Sequence, residues 1–114
     1  MATYAKGKLS GSTNGKSILV AGTSTGGADT IHTAVAGTTN WDEVWVYAYN
    51  ADTVQRLLTL EFGAATSPLK QTIPAQSGAY LCIPGWVLQN AQVVKAFAEA
   101  TNVISINGFV NSIT

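Results

Sequence analysis

Trp41-Asp42-Glu43-Val44-Trp45-Val46-Tyr47-Ala48-Tyr49-Asn50 is the stretch from which the architecture is read. Val44, Val46 and Ala48 alternate with Trp45, Tyr47 and Tyr49. Successive side chains of a β-strand point to opposite faces, so a period of two predicts a strand. Neither face is polar. The small face suits a tight contact between two sheets. The aromatic face is too large to stand in water as one patch, so another part of the chain or a partner subunit is expected to cover it. Trp45, Tyr47 and Tyr49 are therefore the candidate residues for core or oligomer packing.

The segments on either side read as further short strands. Before it, residues 30–35 place Ile31, Thr33 and Val35 on one face and His32 on the other. Residues 1–28 are rich in Gly, Ser, Thr and Lys, and Asn14-Gly15 favours a tight turn. They read as an edge hairpin of residues 4–10 and 17–21, or as an extended N-terminal arm. A β-sandwich domain is expected over residues 29–114.

After it, residues 56–63 turn Leu58, Leu60 and Phe62 one way and Leu57, Thr59 and Glu61 the other, with Glu61 expected in solvent. Residues 69–73 form a short strand closed by Pro74, and residues 79–83 one broken at Pro84-Gly85. Residues 92–100 carry helix-favouring alanines, but the Gln-Val-Val start and the neighbouring strands predict a strand there. Residues 102–113 close the chain, with Gly108 marking a kink or bulge. Roughly eight to ten short antiparallel strands with regular turn signals predict an all-β fold, a β-sandwich or jelly roll.

Composition narrows the function. Only 11% of the 114 residues are charged, against about 25% in ordinary domains, while 46% are hydrophobic. So few charges predict either a surface that lies largely against other protein in a repetitive assembly or one rich in Ser, Thr and Asn. The net charge of zero argues against a phosphate-backbone partner, so no nucleic acid is expected. Charge is nevertheless uneven: Lys6, Lys8 and Lys16 have no acid among the first 28 residues, whereas three basic and six acidic residues follow. The basic segment reads either as a dock for an acidic surface or as a strand edge whose lysines discourage sheet pairing. Cys82 is the single cysteine and lies in an apolar run, so a buried free thiol is expected and no intrachain disulfide. With no signal-type leader and no run of about 18 apolar residues, a soluble chain made in a reducing cytoplasm is expected, with no membrane partner.

Convergent chemistry is sparse. His32 is the only histidine, so His32 and Cys82 are the only good nitrogen or sulfur ligands and no metal site is expected. A triad built on His32 lacks a nucleophile-elbow sequence, and its imidazole is expected to bond a backbone carbonyl. Asp42 and Glu43 are adjacent and point to opposite faces, so they do not act as a carboxylate pair. The glycines show no phosphate-cradling spacing, and no cofactor is expected. Trp41 and Trp86, with Tyr80, Gln89 and Asn90, are the residues that would stack on a sugar. No enzyme is read from these residues.

Several blocks resemble a group of small virion proteins of tailed bacteriophages. They are Thr30-Ile31-His32-Thr33-Ala34, Ala36-Gly37-Thr38-Thr39, Trp41 to Ala48, Leu60-Glu61-Phe62-Gly63, Thr66-Ser67-Pro68 and Ile73-Pro74-Ala75. Ile83-Pro84-Gly85, Val93-Val94-Lys95-Ala96-Phe97-Ala98 and Gly108-Phe109-Val110-Asn111 continue the series in the same order. The likeness spans about three quarters of the chain and leaves out the first 28 residues.

The resemblance implies a β-sandwich on the virion, of the capsid decoration (cement) type. Such a protein would be synthesised in the host cytoplasm, form a homotrimer and bridge subunits of the major capsid protein. Trp45, Tyr47 and Tyr49 would then pack the trimer or core, and Lys6, Lys8 and Lys16 would reach the capsid. The other reading it leaves is a head-fibre or tail-fibre component that binds host surface glycan through Trp41 and Trp86.

Overall fold

Two antiparallel sheets pack face to face in the computed structural model, which describes residues 2–114. The strands are β1 (Tyr4–Lys8), β2 (Ile18–Leu19), β3 (Asp29–Thr33), β4 (Trp41–Asn50), β5 (Arg56–Phe62), β6 (Pro68–Ile73), β7 (Tyr80–Leu88), β8 (Val93–Ala98) and β9 (Ile104–Ile113). The first sheet has the order β1-β9-β4-β7, with β2 also paired to β9. The second has the order β3-β8-β5-β6. The protein is an all-β sandwich, and the alanine-bearing segment at residues 93–98 is a strand. Short runs bounded by turn residues and flanked by sheet partners override alanine's helical preference there.

β4 is the axis of the first sheet. It pairs with β9 over its full length, from Trp41 opposite Ile113 to Asn50 opposite Ile104, and with β7 on its other side. Its inward residues Val44, Val46 and Ala48 are fully buried. They meet Ile104 and Ile106 from β9, Leu58 and Leu60 from β5, and Val94 and Ala96 from β8 in one continuous core. Each fully buried aliphatic side chain of this kind contributes about 1.5–3 kcal/mol. Asn50 ends β4 by donating its amide to the carbonyls of Val54 and Ile73, which ties the first sheet to β6 of the second.

The N-terminal segment is built differently from a hairpin. β1 and β2 both pair with β9, one after the other along the same edge, and not with each other. The Asn14-Gly15 turn does form, with φ of 56° and 79° and the Lys16 N–H donating to the Thr13 carbonyl. It closes a loop that leaves the edge between β1 and β2. Nor is this segment a detached arm, because Leu9 and Val20 are buried in the core. Gly11 permits the crossing: its N–H donates to the Ile31 carbonyl, and a Cβ there would collide with the Thr30 carbonyl oxygen.

Three local readings change. In β3 the pairing register shifts between Thr30 and His32, so the neighbours Ile31 and His32 are both buried and the simple alternation fails. Pro84-Gly85 does not break β7; the strand runs on, and register shifts take up the irregularity. Glu61 is not solvated. It is 4% exposed, because the segment between β2 and β3 crosses the outer face of the second sheet and puts the Thr25 hydroxyl 2.7 Å from Glu61 Oε2.

Candidate interaction surface

The outer face of the first sheet holds the largest set of unusual surface residues. By register, Trp41, Glu43, Trp45, Tyr47 and Tyr49 of β4 stand beside Ile113, Asn111, Phe109, Asn107 and Ser105 of β9. Tyr4, Lys6 and Lys8 extend this face across β1, and Leu81 and Val87 across β7. Tyr4, Trp41, Leu81 and Val87 are exposed, which is a high density of large apolar groups for one sheet face.

Its centre is an ordered row across the strands. Trp45 and Phe109 stack with ring centroids 5.7 Å apart and planes 13° from parallel. The Lys6 ammonium sits 4.2 Å from the Phe109 centroid, a cation–π contact. On the other side the Trp45 indole lies over Gly85, whose φ of +79° and missing side chain make the room. The indole N–H donates to Glu43 Oε1 at 2.7 Å, and the Asn111 amide donates to the same oxygen at 3.0 Å. These two donors hold the Glu43 carboxyl below its ordinary range. Tyr49 is tied back to the chain, its hydroxyl donating to Ser17 at 2.6 Å. The face is thus partly covered by its own chain and partly open: Trp45 and Tyr49 have intrachain partners, and Tyr47 lies half-buried between them.

The structure divides the sets grouped from sequence. Lys6 and Lys8 lie on the aromatic face itself, whereas Lys16 stands apart in the turn between β1 and β2. Trp41 and Trp86 do not form one groove. Trp41 points to the outer face, while Trp86 lies opposite Val44 on the inner side of β7 and packs edge-on against Phe62 of the second sheet, with ring centroids 5.4 Å apart. Both rings are exposed, on different faces of the first sheet.

Neither a family model nor a curated protein sequence matches the chain.

The sole histidine serves the architecture. Its Nδ1 accepts the Ser10 backbone N–H at 3.0 Å, which puts the ring proton on Nε2, 2.8 Å from Asp42 Oδ2. Asp42 also accepts the Val35 N–H and the Ser112 hydroxyl. His32 therefore meets a carboxylate and a backbone N–H, not a backbone carbonyl. Ser10 offers the ring its backbone N–H and uses its hydroxyl to accept the Thr33 N–H. This buried cluster clasps β3, β4 and the N-terminal loop together. Cys82 is buried with its thiol near the Tyr80 carbonyl, and burial pushes the thiol up to about 11. Among the described residues no group of three or more His, Cys, Asp or Glu side chains is placed to hold a metal ion, and no helix is long and apolar enough to cross a membrane.

Phe109, Glu43 and Gly85 complete the Trp45 site, and none of them was among the packing residues read from sequence. Alternation alone put Trp45 outward. Gly85 and Phe109 come from strands 40 and 64 residues further on, and Gly85 falls at a shift in the β4–β7 register that no periodicity reveals.

Proposed function

We propose that this chain is a structural virion protein of the capsid decoration type, which stabilises a bacteriophage head by bridging subunits of the major capsid protein. The observation that carries the reading is the outer face of the first sheet, an aromatic centre with a lysine-bearing rim on β1. Stable protein interfaces have this composition: aromatic and apolar at the middle, polar at the edge. The blocks of likeness to small phage virion proteins supply the biological setting.

In this reading the aromatic face binds copies of the same chain, as a homotrimer. Closed symmetric assembly buries such a face without leaving it open to further growth. Lys8 and the separate Lys16 turn then contribute the capsid contact, while Lys6 stays on Phe109. A protein that binds only the assembled shell adds its binding free energy to that state alone, which is how a cement protein resists the pressure of packaged DNA.

Sedimentation equilibrium tests the assembly. The full chain should run at three times its monomer mass, and Tyr47→Lys or Leu81→Lys should return it to the monomer with the fold intact. A monomer at high concentration would contradict the trimer. Lys8→Ser with Lys16→Ser should weaken attachment to particles and leave the trimer unchanged; full attachment would remove the lysines from the contact.

A further inference from the structure

The outer face of the second sheet carries a separate arrangement. Glu61 on β5 and Lys95 on β8 are direct cross-strand partners, and both line one half-open cavity of about 270 Å³. Opposite charges so placed ordinarily pair. These do not: among the described residues the one lysine or arginine in an ion pair is Arg56, with Asp52.

Glu61 is also short of partners. The Thr25 hydroxyl donates to Oε2, and no described residue donates to Oε1. The one sealed side-chain polar atom lacking a partner among the described residues is Gln89 Oε1, so Glu61 Oε1 opens to the cavity. A carboxylate this deeply buried is normally met by a cation or by several donors, since desolvation without compensation is costly. The rest of the lining is small and largely apolar, with Gly63, Ala64, Ala65, Ala91 and Val93 beside Gln92.

We propose that this cavity binds a small zwitterion, the ligand's ammonium on Glu61 Oε1 and its carboxylate on Lys95. The chemistry is that of a free α-amino acid with a small apolar side chain. Two unpaired opposite charges on one wall select a ligand carrying both; a simple amine would meet the Lys95 charge, and a simple carboxylate the Glu61 charge. The cavity lies on the opposite sheet from the aromatic face, so the site stands or falls independently of the assembly reading.

The test is titration of the isotope-labelled full chain with L-alanine, following the backbone amides of Gly63, Ala65, Ala91 and Val93 by NMR. Saturable shifts confined to these residues are expected, with methylamine and acetate each binding more weakly than L-alanine. Glu61→Gln keeps the shape and the Thr25 bond, and should weaken L-alanine binding by about tenfold or more. Lys95→Met, at an exposed position, should do the same without disturbing the fold. Absence of a saturable shift, or unchanged affinity in both variants, would overturn the proposal and leave Lys95 as a side chain that swings onto Glu61. Acetate or methylamine binding as tightly as L-alanine would overturn it as well.

Discussion

The Trp45 indole occupies the space a Gly85 side chain would need, since a Cβ at Gly85 would stand 2.8 Å from Trp45 Cζ2. Gly85 also has φ of +79°, a conformation costly for residues with a Cβ. One residue thus supplies both the backbone shape and the seat for the central ring of the outer face.

Gly85→Ala is expected to lower stability by about 1–3 kcal/mol, through strain at positive φ and displacement of the indole. The Trp45–Phe109 stack should loosen, and self-association should weaken more than unfolding stability does. Thermal melts and sedimentation of the same variant check both parts.

The N-terminal segment should prove essential to folding. Leu9 and Val20 sit in the core, and β1 and β2 cover the β9 edge. Leu9→Ala is expected to cost about 2–5 kcal/mol, as other buried Leu truncations do. A fragment of residues 29–114 should lose the dispersed NMR spectrum of the full chain. A well-dispersed fragment spectrum would show that the segment is dispensable.

These positions show what a single sequence carries and what it hides. Alternation in residues 41–50 and 56–62 was legible, because a period of two records burial directly. The place of residues 1–28 was not. Glycine density there resembles a flexible arm, yet Gly11 and Gly22 are small because the chain passes directly against backbone, at Thr30 and Gly27 respectively. The burial of Glu61 was hidden for the same reason: its cover is Thr25, 36 residues away. Alternation identified Trp45 as half of the surface site. Glu43, two residues before Trp45, shares its face by the same alternation, whereas Phe109 and Gly85 depend on pairing register, which is a property of two strands and not of one.

Acid should disturb the Trp45 site in a defined window. The indole N–H and the Asn111 amide hold the Glu43 carboxyl below its ordinary value of 4.5. A lowered folded-state value means that the contact is complete above about pH 4.5 and is lost as pH falls through the lower value. The Trp45 indole N–H resonance should therefore shift below pH 4.5, and Glu43→Gln should abolish that titration. A resonance insensitive to pH in the native protein would contradict the hydrogen bond.

Alkali should act through Cys82. Burial raises its thiol from 9.0 to about 11, so the unfolded chain ionises first. The stabilising contribution is whole below pH 9 and falls as pH rises from 9 toward 11. Near pH 8 the native thiolate fraction is about a hundredfold below that of an ordinary thiol, which predicts very slow alkylation until the protein unfolds. Cys82→Ala should flatten stability across this alkaline range.

The most direct measurement is the copy number of this chain in purified phage particles, relative to the major capsid protein, by quantitative mass spectrometry. A fixed ratio near one copy per capsid subunit, or a constant fraction of that, is the predicted result. A handful of copies per particle would point to a fibre component, and absence from the particle would contradict the virion assignment.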